Sequence, residues 1–591
     1  MSFHPHDVAR RARTARIVLA GAIVVLASAF FRTQVTRHEQ YALRSQENRL
    51  REVPLPAPRG IIYDRNGKII AENVPGYSVS LLAPSRDSLR ATLVRLGQSI
   101  DISEDRIAAT VRRYQRAPSR PVVVLADASF DEVSVLEEHR TEFPGLIIQS
   151  APKRFYPDGE AVSAFVGYTG EISEGELNAP QFEGYKAGQQ VGKGGLERQY
   201  EDRLHGREGI RFVEVDARGR VVREEGARTT LPAEAPPPLY TNIDIDLQRL
   251  VVSIWGDTLQ GGIVAMEPHT GEVLAIHSAP GYDPNRFVGG VSSEYYGQLR
   301  DDPRRPLFNK AIQGRYPPAS TFKLATSAIA MEEGIASLDT HMQLPCTGGM
   351  WYGSRYFKCW DKRGHGNVTL QQAIAKSCDV YFYQLGLRIG LSKLLAGGIS
   401  LGMDQKSGID LPNESSARFP ANPAYYDRLY GPRGWTNAVT LNLSIGQGEN
   451  DQTVVNMARF YTALATDGYA AKPEIVRRNP ERQQLLRLDA KQMAALRTAM
   501  LDVVSARGTA GASAIEGIPI AGKTGTAQNS TDKGDHAWFV GFAPANDPKI
   551  VVAIMVEFGE HGSSAARLAS RVIGAYLKSP TAPIPSTDAS D

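Results

Sequence analysis

At 591 residues, with 42% apolar residues and a formal net charge of +3, the chain is too long for one ordinary domain; two to four are expected. No basic block with interleaved aromatics appears, which excludes a nucleic-acid binder. Its three cysteines all fall between Cys346 and Cys378, which argues against a disulfide scaffold.

The N-terminus predicts a membrane anchor. Arg10, Arg11, Arg13 and Arg16 precede fifteen uncharged residues, 17–31, and Arg32 follows. Snorkelling of Arg16 and Arg32 extends this short run toward a bilayer span. The arginine excess predicts a cytoplasmic segment 1–16, an anchor at 17–32 and an exported body. Ala27-Ser-Ala29 resembles a signal-peptide cleavage site, the competing reading.

Residues 33–57 are charged and suit a helical stalk. Pro58-Arg-Gly-Ile-Ile-Tyr-Asp-Arg-Asn-Gly67-Lys-Ile-Ile70 reads as a hairpin around an Asn-Gly turn. Residues 86–145 are mixed, with a helix expected over 101–116. Gly192-Lys-Gly-Gly-Leu-Glu-Arg-Gln-Tyr200 reads as a Gly-rich loop opening a helix, and it fails as a dinucleotide fingerprint because no strand leads into it. Pro236 to Pro238 mark a domain edge. Beyond it, 262–276 reads as a second hairpin, 316–505 as mainly helical with inserts near 341–368 and 404–436, and 518–523, 537–543 and 550–558 as strands. Strands, helices, then strands imply one domain whose sheet is built from both ends. The tail 579–591 has a disordered composition.

Three stretches carry chemistry. In Tyr316-Pro-Pro-Ala-Ser320-Thr-Phe-Lys323 the prolines suit the first turn of a helix, which sets Ser320 and Lys323 on one face. A serine becomes a nucleophile when a base takes its proton, and a lysine serves if burial and the helix dipole keep it neutral. The second stretch is Ser377-Cys378-Asp379, and the third is Lys523-Thr524-Gly525-Thr526 at the end of an apolar run. Gly517-Ile-Pro-Ile-Ala-Gly522-Lys523-Thr524 also satisfies the P-loop pattern, but a P-loop needs a strand before it and a helix after it, and 527–534 is a poor helix. Cys346, Cys359, His365 and Cys378 have the composition of a closed tetrahedral zinc site; the competing reading is a Cys346–Cys359 disulfide.

Ser-x-x-Lys, then Ser-x-Asn/Asp, then Lys-Thr-Gly is the order of the penicillin-interacting serine enzymes. The sequence resembles the class B penicillin-binding proteins, and most of all the penicillin-binding protein 2 group. The 58–67 stretch, Gly167-Tyr-Thr-Gly-Glu171, Ser444-Ile-Gly-Gln-Gly448 and His536-Ala-Trp-Phe-Val-Gly-Phe-Ala-Pro544 carry the same likeness. The resemblance implies a mixed α+β (α/β) chain of three parts: the single transmembrane helix, an elongated β-rich pedestal at 33–237, and a transpeptidase domain at 238–578. That domain would have the serine β-lactamase-like fold, with helices packed on an antiparallel sheet.

It also implies peptidoglycan D,D-transpeptidation in cell elongation, with D,D-carboxypeptidation as a side activity. Ser320 would attack the carbonyl between two terminal D-alanines of a stem peptide, with Lys323 as its base. Ser377 would pass the proton to the leaving D-alanine, and an amine from a second stem would complete the cross-link. Lys523, Thr524 and Thr526 would hold the substrate carboxylate, and the N–H groups of Ser320 and Thr526, flanking Gly525, would hold the oxyanion. Asp379 replaces the general Asn, so an ionised carboxylate, an acceptor only, faces the substrate amide. β-Lactams would be trapped on Ser320. No catalytic cofactor is expected; relatives resemble this chain in a metal cluster with His and Cys at its last two positions. Residues 33–237 lack those of a glycosyltransferase, so a SEDS-family glycosyltransferase and other elongation-complex membrane proteins are the implied partners in the inner membrane, with the catalytic domain in the periplasm. Rival readings are a division-specific class B enzyme, a β-lactamase or β-lactam sensor on this fold, and a non-enzymatic scaffold.

Overall fold

The computed structural model describes residues 5–39, 50–116, 121–215, 221–223, 230–529 and 533–578. The tail 579–591 and residues 40–49 of the expected stalk lie outside the described residues. The chain divides into two compact units, the smaller of 1–58, 75–152 and 207–234, and the larger of 59–74, 153–206 and 235–591.

The smaller unit begins with the helix Pro5–Phe31, continued by a π-helical turn, Arg32–Thr36. Ala9–Thr36 is 28 residues long with a mean hydropathy of 2.1, and it is unburied. At about 1.5 Å per residue it exceeds a ~30 Å hydrocarbon core, so the shortness of the uncharged run is made good by helix beyond it. Leu50–Leu55 pairs antiparallel with Gly209–Val215. The helices Arg86–Ser99, Glu104–Arg116 and Phe130–Glu138 accompany Val122–Ala128, around a core that includes Leu89, Leu93, Leu125 and Phe143. Ser85 caps the first of these helices, and Ser129 with Glu132 forms a capping box on the third.

The larger unit is built on five antiparallel strands: β1 (Gln260–Met266), β2 (Val273–Ala279), β3 (Ala521–Ala527), β4 (His536–Ala543) and β5 (Ile550–Glu557), in the order β2-β1-β5-β4-β3. Every residue of β2 and β5 is buried, so both sheet faces are covered. This explains the continuous apolar runs where a one-sided sheet would alternate. The helices Ile245–Trp255 and Gly562–Lys578 pack on the sheet, as does Val454–Ala465, whose residues are all buried. Strands from both ends of the domain do meet in one sheet, as the order of elements predicts.

Three local expectations change. Of the expected helical stalk, Leu50–Leu55 is a strand instead, held by pairing with Gly209–Val215. A short strand, Gln190–Gly192, leads into the Gly-rich loop and its helix, Gly195–Gln199. The fingerprint reading fails for a different reason. Glu197 fills that turn and is fully buried between Arg59 and Arg154. The helix expected from Pro318 opens instead as a 3-10 turn, Ala319–Phe322, before α-helix Lys323–Glu332.

Candidate active site

Ser320 sits in the 3-10 turn, half-buried, directly after Ala319, whose φ of 50° is left-handed. That strained conformation is held from outside. Ala319 N–H donates to Gly446 O at 2.9 Å, and a Cβ on Gly446 would lie 2.2 Å from Ala319 O. The Ser-Ile-Gly stretch is thus the buttress of the serine turn.

Lys323 is fully buried at the start of the α-helix. Its Nζ donates to Ser377 O at 2.9 Å, Ser377 Oγ at 3.2 Å and Asp379 Oδ1 at 2.7 Å. Three acceptors match the three hydrogens of an ammonium, so Lys323 stands in an ion pair with Asp379. Ser320 Oγ has no hydrogen-bond partner among the described residues. Ser377 adopts a φ of 54°, and Asp379 opens the helix Asp379–Ile389, where the helix dipole favours its charge. The other Asp379 oxygen accepts from Trp360 N–H at 3.0 Å.

β3 runs beside the serine turn. A Cβ on Gly525 would lie 3.0 Å from Pro318 O and 3.2 Å from the Thr321 methyl, so a side chain there would press strand and turn apart. Lys523 is fully buried, and its Nζ donates to Thr524 O at 3.1 Å. Burial pushes its charged form well out of favour, the charge on Lys323 adds to that, and Asp379 opposes both. The sequence reading placed the disfavoured lysine charge at 323; the structure gives Lys323 a carboxylate partner, and Lys523 has none among the described residues. Thr524 Oγ1 bonds Thr509 Oγ1 at 2.6 Å, and exposed Thr526 accepts from Gly562 N–H at 3.3 Å. Because Lys523 and Thr524 lie within a strand, with no helix after them, the P-loop reading falls.

The structure therefore brings Ser377 and Asp379 onto Lys323, and lays the Lys-Thr-Gly strand along the Ser320 turn. Thr509, Trp360 and Gly562 escaped sequence reasoning, and Gly446 was singled out only within the family-like 444–448 stretch, because each acts through a main-chain group or a partner distant in the chain.

Beside this cleft Cys346, Cys359, His365 and Cys378 place four ligand atoms within 4.8 Å of one another. His365 Nδ1 lies 3.7 Å from Cys346 Sγ and 3.5 Å from Cys359 Sγ. All three cysteines are free and buried, so the Cys346–Cys359 disulfide is not formed. Hydrogen bonding with Cys378 pulls the Cys359 thiol down, as does His365, and the same bond pushes Cys378 up.

Residues 261–574 match the penicillin-binding protein transpeptidase domain, and 54–234 the penicillin-binding protein dimerisation domain. A peptidoglycan D,D-transpeptidase MrdA of Acinetobacter baumannii is 33% identical over 94% of this chain and 85% of its own length. The chain belongs to the class B penicillin-binding proteins. Among solved structures, penicillin-binding protein 2 of Helicobacter pylori, in complex with MreC, superposes with a TM-score of 0.78 at 29% identity, covering 90% of this chain and 99% of that one. A structure described as a peptidoglycan synthase complex coordinating polymerization and crosslinking gives 0.69 at 28% identity, over 96% and 98%. The MrdA relative and the Helicobacter pylori structure place the chain in the penicillin-binding protein 2 group, which takes part in cell elongation as a peptidoglycan transpeptidase. The division-specific, β-lactamase and scaffold readings give way to this one.

Proposed function

We propose that Ser320 is the nucleophile of an acyl-enzyme D,D-transpeptidase that cross-links stem peptides and is captured there by β-lactams. The observation that carries this is the Lys323 ammonium, one turn from Ser320 and hydrogen-bonded to both Ser377 and Asp379. Once one ammonium proton has left to water, the neutral Lys323 amine takes the Ser320 proton, and Ser377 relays it to the leaving D-alanine. Two buried lysines face one carboxylate in this cleft. When the donor's terminal carboxylate reaches Lys523, Thr524 and Thr526, it favours charge on Lys523. Gly525 keeps that strand close enough for the N–H groups of Ser320 and Thr526 to share the oxyanion. A fluorescent penicillin tests the nucleophile: the wild type should label and Ser320→Ala should be blank. Equal labelling would remove Ser320 from the mechanism.

We also read the chain as 1–16 in the cytoplasm, 17–32 in the membrane, 33–237 as the pedestal and 238–578 as the transpeptidase domain in the periplasm. Its proposed partners are a SEDS-family glycosyltransferase and elongation-complex proteins such as MreC, which the comparison structures support. A D,D-carboxypeptidase side activity follows if water replaces the acceptor amine. The cysteine and histidine cluster fits a structural zinc, since tetrahedral Zn–S bonds of about 2.3 Å put sulphurs ~3.8 Å apart. Cys346, Cys359, His365 and Cys378 would hold it, and it would brace the 341–368 insert without entering the chemistry. A chelator should lower the melting temperature and the acylation rate together. Unchanged melting, with no zinc by elemental analysis of the purified chain, would end this reading.

A further inference from the structure

Outside the three motifs, one titratable group touches both walls of the cleft. His536 opens β4 opposite Ala527, the last residue of the Lys-Thr-Gly strand. Its ring meets Tyr316 edge-on, with centroids 5.4 Å apart, four residues before Ser320. Its Nδ1 accepts from Phe558 N–H at 3.2 Å, which fixes the neutral tautomer with the proton on Nε2.

Phe558 and Glu560 both have left-handed backbones, with φ of 59° and 61°, a strained arrangement for a bulky side chain. This turn delivers Gly562, whose N–H donates to Thr526 Oγ1. A Cβ on Gly562 would lie 2.6 Å from Gly525 O, so the turn rests directly on the Lys-Thr-Gly strand. Glu560 N–H donates to Asp535 O at 3.0 Å, which pins the turn's far side.

We propose that His536 is a positioning residue for acylation: its unprotonated Nδ1 holds the strained 558–560 turn, which in turn holds the Thr526 hydroxyl for the substrate carboxylate. Protonation converts Nδ1 to a donor facing the Phe558 N–H, and the brace is lost. The inference rests on the reading of Ser320 and the Lys-Thr-Gly strand given above. The charged and titratable groups around His536 are Glu557 and Asp535, which favour its protonation, with Tyr316 and Arg305 on Glu557, and Lys533 and Glu560 beside Phe558. Burial outweighs them and lowers the His536 pKa below 6.5. Sign follows directly: the brace is complete above pH 6.5 and is lost as pH falls through the folded-state value.

The test is the second-order rate of labelling of the full chain by a fluorescent penicillin, measured from pH 7.5 down to pH 5 in three proteins. Wild type should lose about tenfold more than His536→Asn over that range, the worth of one hydrogen bond. His536→Asn, which keeps an acceptor and cannot be protonated, should stay within about twofold of wild type at pH 7.5. His536→Phe, which keeps the ring and loses the acceptor, should be about tenfold slow at pH 7.5. Identical pH profiles for wild type and His536→Asn would overturn the proposal, as would equal losses in both variants. If His536→Phe fails to melt cooperatively, the two profiles that remain decide. Label on a Ser320→Ala chain would show separately that the parent reading had failed.

Discussion

Two of the regions where the larger unit buries charge do so differently. In one, Arg59 and Arg154 enclose Glu197, and Arg59 also reaches Glu201 at 2.6 Å. Tyr156 and Tyr185 hydroxyls and the Gly192 N–H fill the remaining carboxylate positions. Two guanidinium groups meet two carboxylates, and that set is balanced. In the other, Lys323 and Lys523 are fully buried, and among the described residues Asp379 is the carboxylate that pairs with Lys323 and acts on Lys523. A buried cation without its counter-ion is costly, and the fold tolerates it where a substrate carboxylate will arrive. The balanced cluster reads as structure, and the unbalanced one as a site.

That contrast can be broken by substitution. Lys323→Ala should slow penicillin acylation by about 10²–10⁴-fold, the range for loss of a general base; retained acylation would make the lysine structural. Glu197→Gln should cost about 3–5 kcal/mol of stability, because it leaves the buried Arg154 without a carboxylate and Arg59 with Glu201 alone, and leave the labelling rate of each folded molecule unchanged. A labelling defect without a fall in melting temperature would assign Glu197 to the chemistry instead. Lys523→Gln should slow capture of a carboxylate-bearing penicillin by about 10–100-fold, the worth of one charged hydrogen bond.

The smallest effect is in pH. Burial alone would raise the Glu201 pKa, but His205 and Arg59 outweigh it and hold the carboxyl down at about 2 against an ordinary 4.5. A depressed carboxylate contributes stability above pH 4.5 that is lost as pH falls toward about 2. Acid melting curves of Glu201→Gln should therefore be flatter than wild type across that window. Parallel curves would mean that Glu201 is as well paired in the unfolded chain.

Much of the catalytic strand was legible because its information is local. Apolar runs at 537–543 and 550–558 predict buried strands, and the structure has β4 and β5 there; the strand expected at 518–523 begins later, at Ala521, and runs on through the Lys-Thr-Gly stretch as β3. The motif order also carried the family. What escaped was contact across long separations: Glu197 with Arg59 is 138 residues apart, and Lys323 with Asp379 is 56. No periodicity encodes such pairs. Backbone strain was equally silent, since Ala319, Ser377 and Phe558 are residue types that give no cue to a positive φ. The Gly-rich loop was legible as a loop opening a helix, but not the close packing its glycines serve: a Cβ on Gly192 would lie 2.0 Å from Glu197 O.

The most direct test of the account is the position of the acyl group. The purified chain would be treated with benzylpenicillin, quenched and digested, and the penicilloyl adduct mapped by mass spectrometry. The account predicts one adduct, on the peptide that carries Ser320 and its neighbour Lys323. An adduct on Ser377, on Thr526 or on any other peptide would contradict it.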